Sequence, residues 1–255
     1  MKTIGLIGGM SWESTTLYYQ AMNLEVARRL GGLHSARILL SSLNFAEVAA
    51  LQKAGAWDEL ATLLAHEASA LETAGADCLL IGTNTMHLVA PQVQAAIGIP
   101  LLHIADATAG AICKKNLQRV GLLGTRFTME QPFYAEHLAA NGIETLIPDS
   151  AQRGEVHRII FDELCRGLLR DESRQTLITI ARDLAERGAQ GVILGCTELP
   201  LLLQQQHLAL PLFDTTTLHA LMAVDFSLGI SVIPPTQRAS NVISLSRQQE
   251  PISCA

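Results

Sequence analysis

The chain has 255 residues, 49% of them hydrophobic and 16% charged, with a formal net charge of −6 and only 4% aromatic residues. This composition offers neither a basic face nor a stacking platform for nucleic acid, and the apolar runs break well short of the roughly 20 residues of a membrane span. Cys78, Cys113, Cys165, Cys196 and Cys254 stand at unrelated spacings without a C-x-x-C pair, which suits reduced thiols in a cytoplasmic protein and neither a zinc site nor a disulfide framework.

Met1-Lys2-Thr3-Ile4-Gly5 enters a strand directly, without the pattern of a secretory signal. That strand covers residues 3–7, and Gly8-Gly9-Met10-Ser11-Trp12 forms the turn after it. An amphipathic helix follows over 13–30, stopped by Gly31-Gly32, then a strand over 36–43 and a segment, 44–53, that carries Glu47, Gln52 and Lys53. Leu60, Leu64, Ala68 and Leu71 share one face of a helix over 57–73. A strand ending at Ile81, the Thr83-Asn84-Thr85 turn and a helix ending before Gly98 complete the first half.

The second half repeats the style. A strand at 100–104 leads to a helix with Asp106 as its N-cap, ending near Lys115-Asn116. Next come a strand over 119–123, a helix over 128–141 closed by Gly142, a strand over 144–147, a helix including 158–165 and another over 173–187. Gly191-Val192-Ile193-Leu194 is a short apolar run suited to a strand buried on both faces. A helix opens at Leu199 with Pro200 tolerated in its first turn; a last strand over 210–214 and a helix over 216–223 follow. From 233 to 255 the chain is polar and is expected to be disordered or loosely attached.

This alternation predicts an α/β fold of two pseudo-symmetric Rossmann-like domains, each a mainly parallel sheet flanked by helices, with the ligand in the crevice at the strands' carboxyl ends. Residues 1–98 with 211–232 are assigned to the first domain and 99–210 to the second. An internal repeat supports the division. Residues 71–85 overlay 184–198 without a gap, setting Gly75-Ala76 on Gly188-Ala189, Gly82 on Gly195 and Thr83 on Cys196. Gly5-Leu6-Ile7-Gly8-Gly9 likewise echoes Gly121-Leu122-Leu123-Gly124-Thr125. A repeat this long indicates two domains rather than a solenoid.

Cys196 sits between a strand and a helix, where the helix N-terminal field favours thiolate over thiol; read alone, it equally suits a small buried core residue. Two equivalent turns facing across a crevice can present one side chain to each face of a carbon, as racemisation or epimerisation requires. The motifs Gly8-Gly9-Met10, Thr83-Asn84-Thr85 and Gly195-Cys196-Thr197-Glu198, at these spacings, resemble the cofactor-independent aspartate/glutamate racemase family over roughly residues 1–230.

The resemblance implies two catalytic side chains, one thiolate removing the α-proton and a second thiol returning it from the other face. Here the first cysteine is replaced by Thr83. An alkyl hydroxyl is far harder to ionise than a thiol of pKa about 8.5, so Thr83 is expected to donate or relay a proton, or merely to cap the next helix. The resemblance puts the second-half cysteine on the L-face, so L-aspartate or L-glutamate is the expected substrate. No cofactor and no metal are expected, because none of Lys2, Lys53, Lys114 and Lys115 occupies a strand-end motif where a pyridoxal Schiff base would form. The substrate's α-carboxylate is assigned to Asn84, Thr85 and Thr197, with Met10, Ser11 and Thr125 completing the ring. Glu198 reads as a supporting residue or as a first-turn glutamate favoured by the helix dipole.

Recognition of a side-chain carboxylate is less legible. Some family members use an arginine after the second strand and a lysine in the second half, where this chain has Val48 and Cys165. Gln52, Lys53, Arg126 and Arg166 are the candidates, although residues of this kind are more often simply solvated on the surface. His87, His103 and Asp106 read as structural. Gly5-x-x-Gly8-Gly9 lacks the full dinucleotide-binding spacing, and the second strand ends without the expected acid. A decarboxylase or cis–trans isomerase on the same duplicated fold, and a catalytically silent amino-acid-binding protein, are the alternatives. The expected partner is a small acidic amino acid, with no nucleic acid or membrane, in a possible homodimer.

Overall fold

The computed structural model describes residues 1–230; the tail expected at 233–255 lies outside the described residues. Strand β1 (Ile4–Gly8) leads to helix α1 (Trp12–Leu30), β2 (Ile38–Ser42), α2 (Phe45–Ala54), α3 (Trp57–Thr73) and β3 (Cys78–Ile81). A 3-10 turn (Thr85–Val89), α4 (Ala90–Ala95) and α5 (Ile104–Lys114) cross to β4 (Arg119–Gly124). Helices α6 (Arg126–Glu130) and α7 (Pro132–Ala139), β5 (Glu144–Leu146) and α8 (Ser150–Arg158) follow. Helix α8 continues into a π turn (Ile159–Glu163) and a 3-10 turn (Leu164–Arg166) before α9 (Asp171–Glu186), β6 (Val192–Gly195), α10 (Leu199–Leu202), β7 (Leu212–Asp214) and α11 (Thr215–Ser227).

Two parallel sheets result, ordered β2-β1-β3 and β5-β4-β6-β7. In each, the half's first strand is central and its neighbours are the next two, so the repeat read from the sequence is a repeat of topology. β1, β3 and β6 are buried along their whole length, which is why they read as continuous apolar runs rather than alternating ones. Gly75 and Gly188 both have φ of +99°, the left-handed turn that stops the preceding helix in each copy.

The repeat extends further than the motifs alone indicate. Leu101 forms a single bridge beside Leu79, and its counterpart, Leu212, opens β7 beside Val192. Gln94 caps the loop before the first by donating to Ile97 and Ile99 carbonyls and accepting from the Leu101 N–H. Gln205 does the same with Leu208, Leu210 and Leu212.

The strand pairings run across the expected boundaries, while the helices after them pack on the side those boundaries give them. Residues 100–102 stay with the first sheet, not the second, and form one bridge rather than a strand over 100–104. β7 stays with the second sheet, although 211–232 was assigned to the first. Only the helices cross. The Ile104, Ala109 and Ile112 face of α5 joins the core of the second sheet, and the Ala220, Ala223 and Val224 face of α11 packs with Ile4, Leu6 and Tyr18 of the first. Each half therefore lends its last helix to the other. Two further expectations change: His103, not Asp106, caps α5 through its ring nitrogen, and the helix expected over 128–141 is broken at Gln131 because Pro132 has no N–H to continue it. Among the described residues no helix is long and apolar enough to cross a membrane.

Candidate active site

The carboxyl ends of β1, β3, β4 and β6 converge on one cavity lined from both halves. Thr83 and Cys196, equivalent in the repeat, both line it, as do Met10, Gln52, Asn84 and Thr85, together with Thr125, Thr197 and Glu198. Ser11 does not. It caps α1 by accepting from the Ser14 N–H. The turn that carries it needs a glycine: Gly9 has φ of +81°, and a Cβ there would lie 2.2 Å from the Leu43 carbonyl oxygen.

Glu198 is the most heavily bonded side chain of the site. Its Oε1 accepts from Ser11 Oγ at 2.8 Å and Ser14 Oγ at 2.7 Å. Its Oε2 accepts from Thr197 Oγ1 at 2.9 Å and from the Cys196 thiol at 3.0 Å. It is 4% exposed, so these donors replace the water it has lost. The dipole reading of Glu198 does not describe this arrangement, because two of the four partners come from α1, more than 180 residues away.

The expectation that helix polarity favours the Cys196 thiolate is overturned. Burial, and next the charge of Glu198, push the thiol well above its usual range. The following helix, α10, has four residues, too short a stack of peptide dipoles to offset desolvation. In the resting site Cys196 is a thiol donating to a carboxylate.

Across the repeat, the Thr83 side chain is half-buried and makes no hydrogen bond among the described residues. It does not cap the next helix: Asn84 is the cap residue there, and no side chain bonds the turn. The Thr83 carbonyl accepts instead from His87 Nδ1 at 2.9 Å, while His87 Nε2 accepts from the Ile104 N–H. Both ring nitrogens are thus committed, and burial lowers His87 to about 3, so this imidazole is neutral and structural.

The Asn84 amide is oriented by its neighbour. Thr215 donates its single hydroxyl proton to the Leu194 carbonyl, so it can only accept from Asn84 Nδ2, at 2.9 Å. Asn84 Oδ1 is left buried with no partner. The Asn84 side chain therefore keeps one unpaired acceptor. The backbone N–H groups of Asn84 and Thr197, at equivalent positions of the repeat, are unpaired among the described residues and are donors a carboxylate could use. The Thr197 hydroxyl proton is committed to Glu198, and the hydroxyls of Thr85, Thr125 and Thr128 bond one another at 3.2–3.5 Å.

Lys53, Arg126 and Arg166 do not reach the cavity. All three are exposed; Arg166 pairs with Asp162 and Arg126 lies against Gly154. Phe45, Ile160, Phe161 and Cys165 line the cavity without having been identified as site residues. Three of these four belong to the π turn and the 3-10 turn after it, an irregularity that helical periodicity does not signal. Ser14, which donates to Glu198, was also missed; its spacing of three from the cap Ser11 was the available signal.

A family model described as Asp/Glu/Hydantoin racemase matches residues 7–223. A Yersinia pestis protein described as a candidate Asp/Glu racemase has a solved structure that superposes with a TM-score of 0.85 at 49% identity, covering 89% of this chain and 100% of that one. An aspartate racemase homologue from Pyrococcus horikoshii gives a TM-score of 0.78 at 36% identity over the same shares. A broad-specificity amino-acid racemase from Bacillus subtilis is 26% identical over 162 residues, 62% of this chain and 68% of the relative.

Proposed function

The chain belongs to the Asp/Glu/hydantoin racemase family, and from that premise we propose that it is an amino-acid racemase that needs no cofactor and prefers L-substrates, with Cys196 as its base. Aspartate and glutamate, after which the family is named, are the first substrates to assay. The observation that carries the reading is the Cys196 thiol donating at 3.0 Å to the buried Glu198 carboxylate, in a cavity it shares with Thr83.

The proton inventory is closed. Transfer of the thiol proton to Glu198 Oε2 gives a thiolate beside a neutral carboxyl. The substrate brings an ammonium into the same enclosure, where Asn84 Oδ1 accepts from it; this positive charge offsets the cost of the buried thiolate. The thiolate removes the α-proton, and the electron pair passes to the α-carboxylate as an enediolate. The N–H groups of Asn84 and Thr197 stabilise that charge as it develops. Thr83 then supplies a proton to the opposite face of the α-carbon and is reprotonated from water, while the dyad returns its extra proton to solvent.

Only the Cys196 face carries a base, so the two enantiomers differ in rate and binding while their equilibrium constant stays near one. The test is α-proton exchange in heavy water for L- and D-aspartate and L- and D-glutamate. Within each pair the L-form exchanges faster than the D-form, Cys196→Ala abolishes both, and Thr83→Cys restores use of the D-form. Equal rates for D and L in the unmodified protein would reject Cys196 as the sole base; exchange surviving in Cys196→Ala would reject it altogether. Release of CO₂ in place of exchange identifies a decarboxylase.

A further inference from the structure

Five of the residues that line the cavity take no part in the chemistry at the α-carbon: Met10 and Phe45 from the first half, and Ile160, Phe161 and Cys165 from the second. The Cys165 thiol is raised to about 12 by burial and by the charges of Glu198 and Glu13, so this wall is uncharged throughout. Gln52 is the polar group that accompanies it; the side chain is buried and its Nε2 faces Met86 Sδ at 3.2 Å.

The charge already enclosed matters as much as the wall. Glu198 is a buried acceptor of four hydrogen bonds. A bound zwitterion adds one carboxylate, for which two backbone N–H groups are unpaired among the described residues, and one ammonium, for which Asn84 Oδ1 is likewise unpaired. A second substrate carboxylate would be a third anion in the same enclosure. No Lys or Arg is among the described residues that line it, and Lys53, Arg126 and Arg166 are exposed. An unpaired carboxylate buried against phenylalanine and isoleucine loses its hydration without compensation.

We propose that the cleft selects α-amino acids with short uncharged side chains over aspartate and glutamate, the wall of Phe45, Ile160, Phe161 and Cys165 receiving the side chain and Gln52 meeting a hydroxyl or amide on it. The proposal rests on the racemase reading of this same cleft. It predicts that shape is shared and charge discriminates: glutamine and asparagine have the outlines of glutamate and aspartate and lack their second anion.

The experiment is α-proton exchange in heavy water with the L-forms of glutamine, glutamate, asparagine, aspartate, serine and methionine, compared by kcat/KM at fixed ionic strength. The carboxamides exceed their acids by at least about tenfold, and serine or methionine turns over as well as either carboxamide. Cys165→Lys, which places an ammonium on the wall, moves the glutamate-to-glutamine ratio at least about tenfold toward the acid. Acids that outperform their amides in the unmodified protein overturn the proposal and leave the racemase reading standing. A ratio unchanged in Cys165→Lys overturns the assignment of this wall to the side chain. Exchange with none of the six overturns the racemase reading itself.

Discussion

A thiol that has handed its hydrogen bond to a buried carboxylate behaves differently from one poised as a free thiolate, and the difference is measurable residue by residue. Glu198→Gln keeps the side chain's size but cannot take the Cys196 proton. It is expected to lower kcat about 10²–10⁴-fold, the usual scale of a general acid–base contribution, with little change in KM. The pH profile separates this role from scaffolding. Burial and the Glu198 anion hold Cys196 high, so in the unmodified protein activity rises toward alkaline pH. With the anion removed, the midpoint of the residual activity moves to lower pH, whereas a purely structural loss lowers activity at every pH alike. That Thr83 and Cys196 share one cavity was legible because the strand-end repeat sets one on the other with no gap. The state of the thiol was not, because its governing partner draws on Ser11 and Ser14, which no local window around residue 196 contains.

Among the elements, the long uniform ones were readable and the interrupted ones were not. Helix α3 has the bounds its apolar stripe predicts, and strands buried on both faces announce themselves as unbroken apolar runs. The segment after α8 instead changes winding twice, through π and 3-10 turns, and so turns Ile160, Phe161 and Cys165 toward the cavity against the 3.6-residue rule. The β1–α1 turn gives the sharpest test at this scale. Gly9→Ala adds a left-handed φ penalty to a direct clash with the Leu43 backbone. It is expected to cost about 3 kcal/mol or more, which thermal melting would register as a fall of about 6–12 °C in Tm. A Tm within about 2 °C of the unmodified protein would mean that the turn adopts another path.

At the scale of the whole molecule, the exchange of α5 and α11 ties the halves together. Neither sheet covers its core without a helix from the other half, so urea unfolding is expected as one transition, coincident by Trp fluorescence and by far-UV circular dichroism. The histidines along this seam add an acid sensitivity. Burial lowers His87 to about 3 and His219 to about 4, against about 6.5 in an unfolded chain. Between those values the unfolded chain binds more protons, so stability is complete above about pH 6.5 and is lost as pH falls. Each imidazole costs about 2 kcal/mol at pH 5 relative to pH 7.5, and urea midpoints measured at the two values should differ accordingly. A flat midpoint across that range would contradict the neutral assignment of both rings.

Ser11 and Ser14 belong to the first half, Glu198 to the second, and their hydrogen bonds cross the floor of the cleft. If the halves swing apart to admit a substrate or release a product, parting at this floor would strip a buried anion of half its donors. The carboxylate that governs the thiol is thus also a clasp between the two halves, holding residues 11 and 14 of one against residue 198 of the other.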